Sequence, residues 1–339
     1  MPYITISKNN FFNNLDIITH QTKSKDKIAL VLKDNAYGHG LCEMAKMAQE
    51  YGITKAVVRL ESEARDVYDY FEYILVLSDL PTKADSKIRY TINDISQIEK
   101  FPKGTKVELK VNSGMNRNGI DQGELKEAFS KIEEASLELE ALFTHHSSAD
   151  ELGDIYEMQK DNFKKIKEEA LLLADAFHIK QLRFHECNSA ALFREKSFND
   201  DMARVGIAAY GCLELAMPNS EVERLKPVLS LYAKKISSRE LNPGDFVGYS
   251  ATYRAKKEEY VTNYDYGYGD GFLRACSNSY ITPEGIELVG RISMDNSSFL
   301  TQKEELCIFC DAREVAKYAG TISYEILTSL KPILERRVV

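Results

Sequence analysis

The sequence predicts an α/β chain: an N-terminal parallel (β/α)8 TIM barrel followed by a C-terminal, mostly antiparallel β domain. From about Asp26 to Leu225, short apolar runs alternate with longer amphipathic ones, eight runs in all. The runs are continuous rather than alternating, which suits strands buried on both faces of a parallel sheet. After Pro227 the texture changes to short aromatic or β-branched runs broken by Gly, Pro and Asn, the pattern of an antiparallel domain. A chain of 339 residues is long enough for both.

In order, the expected barrel strands are Ile28–Lys33, Lys55–Leu60, Tyr73–Leu77, Ile88–Ile92, Val107–Val111, Leu139–His145, Gln181–Cys187 and Met202–Val205. Helices are expected between them at Cys42–Tyr51, Glu61–Phe71, Ile95–Lys100, Gly123–Ala135 and Leu152–Phe177. In such a barrel the functional residues collect at the C-terminal strand ends, and Lys33 occupies one of these. Strands of the second domain are expected at Leu229–Ala233, Asp245–Val247, Glu259–Asn263 and Gly285–Val289. The expected division is residues 7–225 for the barrel and 226–339 for the β domain, with the strand-like residues 1–6 a candidate addition to the latter.

Hydrophobic content of 44% and charged content of 28% are those of an ordinary soluble globular protein. A net charge of −8 provides no overall positive field to collect phosphates, so nucleic acid is not an expected partner. No stretch approaches the ~18 apolar residues of a membrane span, and Met1–Lys8 has no basic segment leading into an apolar core, so no secretory signal is expected. Six scattered cysteines suit a reducing cytoplasm. Cys307-Ile-Phe-Cys310 has the spacing of a redox or zinc half-site. It lies in an apolar, strand-like run with no second Cys or His pair nearby, and reads as core packing.

The run Ile28–Leu32 ends on Lys33 and then turns through Asp34-Asn35-Ala36-Tyr37-Gly38-His39-Gly40. Two glycines and an asparagine supply unusual backbone angles, and the apolar helix after them would present free N–H groups to an anion. An amine held at the rim of a fold, partly stripped of water, is what an enzyme needs to bind an aldehyde cofactor as a Schiff base. This run resembles the cofactor-lysine motif of the alanine racemases. These are fold-type III enzymes that use pyridoxal 5′-phosphate to interconvert L- and D-alanine, supplying D-alanine for peptidoglycan. The resemblance implies that Lys33 is the cofactor lysine and that Tyr37 lies on the phosphate side.

Further motifs resemble the family's in the same order along nearly the whole chain. In Glu108-Leu-Lys-Val-Asn-Ser-Gly-Met-Asn-Arg117 the resemblance implies that Lys110 takes up carbon dioxide as a carbamate. Seven residues on, Arg117 would turn its guanidinium toward the substrate carboxylate. Phe143-Thr-His-His-Ser147 resembles the strand end whose first histidine, here His145, lies against the cofactor ring. His185–Ala191 looks like the Asn-Ser turn that would bring Asn188 and Ser189 to the phosphate. Asp201–Gly211 carries Arg204, implied to face the pyridine nitrogen, with backbone N–H groups of Gly206 and Ile207 implied for the phosphate.

An arginine keeps its proton, so beside it the pyridine nitrogen stays neutral and the ring accepts charge less fully than beside a carboxylate. A carbanion formed there is reprotonated at once, which favours racemisation over transamination. Inverting a carbon needs a proton removed from one face and returned on the other. Val247–Tyr253 resembles the segment bearing the second catalytic base, Tyr249, opposite Lys33, and the implied contact chain is Tyr249–His145–Arg204. Tyr266–Arg274 and Gly290–Asp295 match two further signatures, with Tyr268 lining the substrate's access and Met294 fixing its carboxylate through the backbone. By resemblance, Tyr249, Tyr268 and Met294 come from the partner subunit of a head-to-tail homodimer with composite active sites.

The C-terminus departs from the family pattern. Thr321–Ile326 matches, but the usual Arg-Val-Pro-Arg segment is missing, and Pro332 falls where a gating tyrosine would precede it. Asn112 and Ser113 replace a more usual Asp-Thr. Breadth toward serine is left open, because one added hydroxyl is weakly discriminated. A related barrel decarboxylase would want an acidic group where Arg204 stands, and a single-barrel cofactor-binding protein would lack the β domain and Tyr249.

Overall fold

The computed structural model describes residues 1–339. The chain opens with β1 (Tyr3–Ile6) and a helix, Lys8–Thr22, whose first turn is capped by the Ser7 hydroxyl. Four asparagines dilute the apolar pattern of that helix, so the sequence alone does not reveal it. Phe11, Leu15 and Ile18, spaced to share one face, bury it all the same.

Eight strands follow: β2 (Ile28–Val31), β3 (Lys55–Val58), β4 (Tyr73–Val76), β5 (Ile88–Ile92), β6 (Lys106–Lys110), β7 (Glu138–Phe143), β8 (Arg183–His185) and β9 (Ala203–Val205). They pair in parallel in the order β8-β7-β6-β5-β4-β3-β2-β9. No ladder joins β8 to β9. Instead Asp201 N–H donates to Phe184 O (3.1 Å) and Arg204 N–H to Cys187 O (2.9 Å), so the barrel is nearly closed. Strands β2 and β4 are buried throughout, as continuous apolar runs demand.

The connecting helices are Leu41–Tyr51, Glu61–Asp66, Leu125–Glu134 and Ile155–Ala176. Ile95–Lys100 winds as a 3-10 helix capped by the Asp94 carboxylate rather than as an α-helix.

The second sheet is built on the 13-residue β10 (Leu229–Leu241). Then come β11 (Phe246–Val247), β12 (Tyr253–Arg254), β13 (Glu259–Tyr264), β14 (Ser297–Phe299), β15 (Glu305–Phe309) and β16 (Glu335–Val338). β10 pairs antiparallel with β1, β13 and β15, while β16 lies parallel to β1, so both ends of the chain meet in one sheet.

Two expectations need correction. Gly285–Val289 is not a strand. Thr282 N–H donates to Ile286 O, and Gly285 N–H to Thr282 O, closing a turn that leaves only isolated bridges at Ile281–Glu287 and Leu288–Phe299. Of the Cys-x-x-Cys pair, Cys307 is half-buried within β15, but Cys310 lies past its end and is exposed rather than core. The six thiols are free, and no three His, Cys, Asp or Glu side chains come together as a metal site. No helix is long and apolar enough to cross a membrane.

Candidate active site

The chain after β2 takes an unusual path. Asp34 (φ 55°), Asn35 (56°), Ala36 (51°) and Tyr37 (51°) are all left-handed, and Gly38 (74°) continues the turn. Four non-glycine residues in that conformation cost roughly 1–2 kcal/mol each, strain of the kind that surrounding structure must hold in place. Glu63 supplies much of the hold, accepting N–H bonds from Asp34 (2.7 Å), Arg59 (2.7 Å) and Leu60 (3.1 Å). Asn35 Oδ1 accepts from Leu41 N–H (2.9 Å), and Ala36 N–H donates to Leu32 O (2.8 Å). The helix Ser323–Ser329 closes over the turn so tightly that a Cβ on Gly38 would lie 2.1 Å from Leu327 O. The glycine there is obligatory on two counts, its φ and this contact.

The turn aims Lys33 into a cavity of about 380 Å³ at the C-terminal ends of the barrel strands. Tyr37, Lys110, Arg117, His145, Asn188, Ser189, Arg204, Gly206 and Ile207 line the same space. Tyr324 and Thr328 line it as well. Sequence reasoning looked for a C-terminal tyrosine at position 332 and missed Tyr324, which packs against Tyr37 with ring centroids 5.8 Å apart. Only the docking of helix Ser323–Ser329 on the strained turn reveals it.

Arg204, buried on β9, is held by four acceptors. Nη1 donates to His185 Nδ1 (2.5 Å) and His185 O (3.0 Å), and Nη2 to Thr144 O (2.6 Å) and Glu186 O (3.4 Å). All four terminal N–H groups are thereby used, leaving Nε–H without a partner from the chain. Burial pulls the guanidinium below its ordinary value, with Asp200 opposing. The His145 imidazole is driven well below its ordinary value by burial and by Arg204, Lys110 and Arg117, so it is neutral.

Lys110 ends β6 beside the same space with no carboxylate in salt-bridge range. Burial and the nearby charges of Arg117, Arg204 and Lys33 bring its amine down to about 8. On the opposite wall, Ser189 Oγ accepts from Gly206 N–H (3.1 Å) and Ala208 N–H (3.3 Å), while Ile207 N–H bonds to no acceptor of the chain. Asn188 caps the following helix, its Oδ1 accepting from Ala191 N–H (2.9 Å), and its side chain also donates to His146 O (3.3 Å). Gly206 lies so close to Tyr37 that a Cβ there would fall 3.0 Å from the phenol oxygen.

The remaining expected residues are elsewhere. Tyr249, Tyr268 and Met294 line a second cavity, of about 570 Å³, with Arg274, Ile292 and Ser293. Tyr268 N–H donates to Ser293 O (3.0 Å) and Gly269 N–H to Met294 O (2.7 Å), fixing those two loops together. Their side chains nevertheless stay exposed: Tyr249 67%, Met294 56%, Tyr268 43%. Within one chain, Tyr249 and Lys33 face different cavities.

Comparison with known proteins is consistent along the whole chain. Residues 6–214 match the family description "Alanine racemase, N-terminal domain", and residues 228–338 match "Alanine racemase, C-terminal domain". A Nitratiruptor protein named alanine racemase is 42% identical over 336 residues, covering 99% of both chains. A Campylobacter concisus protein of the same name is 42% identical over 341 residues, covering all of both. Among solved structures, the Bacillus anthracis alanine racemase superposes with a TM-score of 0.85 at 29% identity, covering 100% of this chain and 95% of the other.

Proposed function

The chain belongs to the alanine racemase family, and from that premise we propose that it interconverts L- and D-alanine with pyridoxal 5′-phosphate by a two-base mechanism. The observation that carries this reading is the convergence of ten expected residues, Lys33 to Ile207, on the walls of one cavity. The donor set fits the cofactor. It comprises an amine for the aldehyde, a lone guanidinium N–H at Arg204, and the Ile207 N–H and Tyr37 phenol for an anionic group. When bound, the cofactor withdraws electrons from the substrate's α-carbon and so acidifies its hydrogen.

The chain's own residues do the rest. Lys33 holds the aldehyde and serves as base on one face, and Tyr249 serves on the other. Arg204 would offer its Nε–H to the cofactor's ring without handing over a proton, which would keep the electron demand low and favour racemisation. Neutral His145 would stand between Tyr249 and Arg204, as the family resemblance implies, without adding charge. Arg117 takes the substrate carboxylate, helped by the Met294 backbone, and Tyr268 lines the approach. An amine brought to about 8 amid three cations is a good acceptor for carbon dioxide, so Lys110 is the carbamylation site. The carbamate would supply the negative charge that this corner of the cavity lacks.

An exposed phenol, thioether and second phenol on one face are unusual for a monomer. The reading therefore takes the working unit to be a homodimer in which this face completes the partner's barrel cavity. On the same reading, residues 7–225 bind the cofactor, residues 226–339 with 1–6 supply the composite wall, and a reducing cytoplasm suits the six free thiols. The test is direct: purified protein with L-alanine should yield D-alanine only when pyridoxal 5′-phosphate is present. A flat polarimeter trace would defeat the assignment, and a panel including serine would set its breadth.

A further inference from the structure

A carboxylate at full burial is costly unless it is paired and hydrogen-bonded. Glu108, in the middle of β6, is fully buried, and none of the steps above uses it. Its Oε1 accepts from the Tyr73 hydroxyl and from Arg183 Nη2 (2.9 Å), and its Oε2 lies 2.9 Å from His185 Nε2. Burial works to raise this carboxyl, but His185, Arg183 and Tyr73 outweigh it and hold it at about 2.

The other nitrogen of His185, Nδ1, lies 2.5 Å from Arg204 Nη1. A guanidinium can only donate, so Nδ1 carries no hydrogen and Nε2 carries the ring's one hydrogen. Glu108 accepts it. Phe143 steadies both partners, stacking on His185 at 4.7 Å and lying 5.0 Å from the Arg204 guanidinium carbon.

We propose that Glu108 is a positioning residue: by fixing the His185 tautomer it presents a bare imidazole nitrogen to Arg204 Nη1 and so aims the Arg204 Nε–H into the cavity. Why that matters for the reaction rests on the racemase reading, whereas the Glu108–His185–Arg204 geometry does not.

Glu108→Gln separates this role from simple packing. The imidazole can move its hydrogen and the Arg183 guanidinium cannot. The amide oxygen therefore stays with Arg183 and Tyr73, and the amide NH2 faces His185. Nε2 then becomes an acceptor, the hydrogen moves to Nδ1, and it confronts an Arg204 N–H.

The experiment is 15N NMR of histidine-labelled holoenzyme, with His185 assigned by its loss in His185→Asn. In the wild type the expected form is neutral with hydrogen on Nε2. Glu108→Gln should show hydrogen on Nδ1 and a kcat lower by about tenfold or more, with KM for alanine within roughly threefold. Tyr73→Phe, which touches only Oε1, should keep the tautomer and a kcat within about twofold.

A wild-type His185 with hydrogen on Nδ1, or doubly protonated, would overturn the proposal. So would a Glu108→Gln enzyme in which either the tautomer or kcat is unchanged. If Glu108→Gln does not fold, the wild-type spectrum decides. A protein that does not racemise alanine but shows the Nε2 tautomer would sink the functional reading and leave this geometry standing.

Discussion

In the barrel cavity, the key side chains are held by their own chain: Arg204 by four acceptors, Ser189 by two backbone donors, the Lys33 turn by Glu63 and Asn35. The cavity of Tyr249, Tyr268 and Met294 is the reverse. Its backbone is fixed loop against loop, yet the Tyr249, Tyr268 and Met294 side chains stand exposed and make no hydrogen bonds to the chain. One half is preorganised by hydrogen bonds for electrostatic work. The other is an exposed face, which the proposed function assigns to a partner subunit's site. On the proposed reading, the difference means that the barrel cavity holds the cofactor and Lys33, while the second proton-transfer group, Tyr249, stands on the other face.

The largest expected effect follows from removing the amine at the centre of the first half. Lys33→Ala should lower racemisation by about 10³-fold or more and abolish the cofactor's visible absorbance. Persistence of that band would remove Lys33 from its role. Tyr249→Phe should lower the rate by about 10²–10³-fold, and unevenly: α-hydrogen exchange with solvent should fail for one enantiomer far more than for the other. Equal loss for both would break the two-base scheme.

Mixing these two inactive variants tests whether the halves meet between chains. Random reassortment makes about half of the dimers mixed, each with one intact site, so about a quarter of wild-type activity should return. If mixing restores nothing, the composite site is wrong.

The smallest effect concerns acid. His39, beside the strained turn, is buried and stacked on Tyr210 at 4.4 Å; burial lowers it from 6.5 to about 4. The unfolded chain therefore binds the proton first, so this group's stabilisation is complete above pH ~6.5 and lost as pH falls toward 4, about 3 kcal/mol in all. Glu108, held at about 2, adds a second loss at lower pH, between its unfolded value of 4.5 and about 2. Denaturant midpoints at pH 7 and 4.5 should differ accordingly, and His39→Gln should flatten the slope over that interval.

Much of this was legible in the residues. Strands buried on both faces leave continuous apolar runs, so the eight barrel strands were readable to within a few residues. The chemistry-bearing types, from Lys33 to Arg204, stood in motifs that pointed to one site. The helix Lys8–Thr22 was not legible, because its asparagines mask an apolar face that only packing exploits. Nor was Tyr324, whose place in the cavity depends on how a C-terminal helix seats on a turn nearly 300 residues earlier.

By itself the sequence determined the layered fold, because burial patterns are local properties of the chain, and its motifs nominated by resemblance the groups that the proposed function takes as reactive. Only the tertiary structure decided which atom of each group is free to act. The left-handed run from Asp34 to Gly38, the single unused N–H of Arg204 and the buried Glu108–His185 pair all depend on partners distant in sequence. Hydrogen-bond saturation is a property of the packed whole, and it is this saturation that leaves Nε of Arg204 over for the cavity while Tyr249 faces outward.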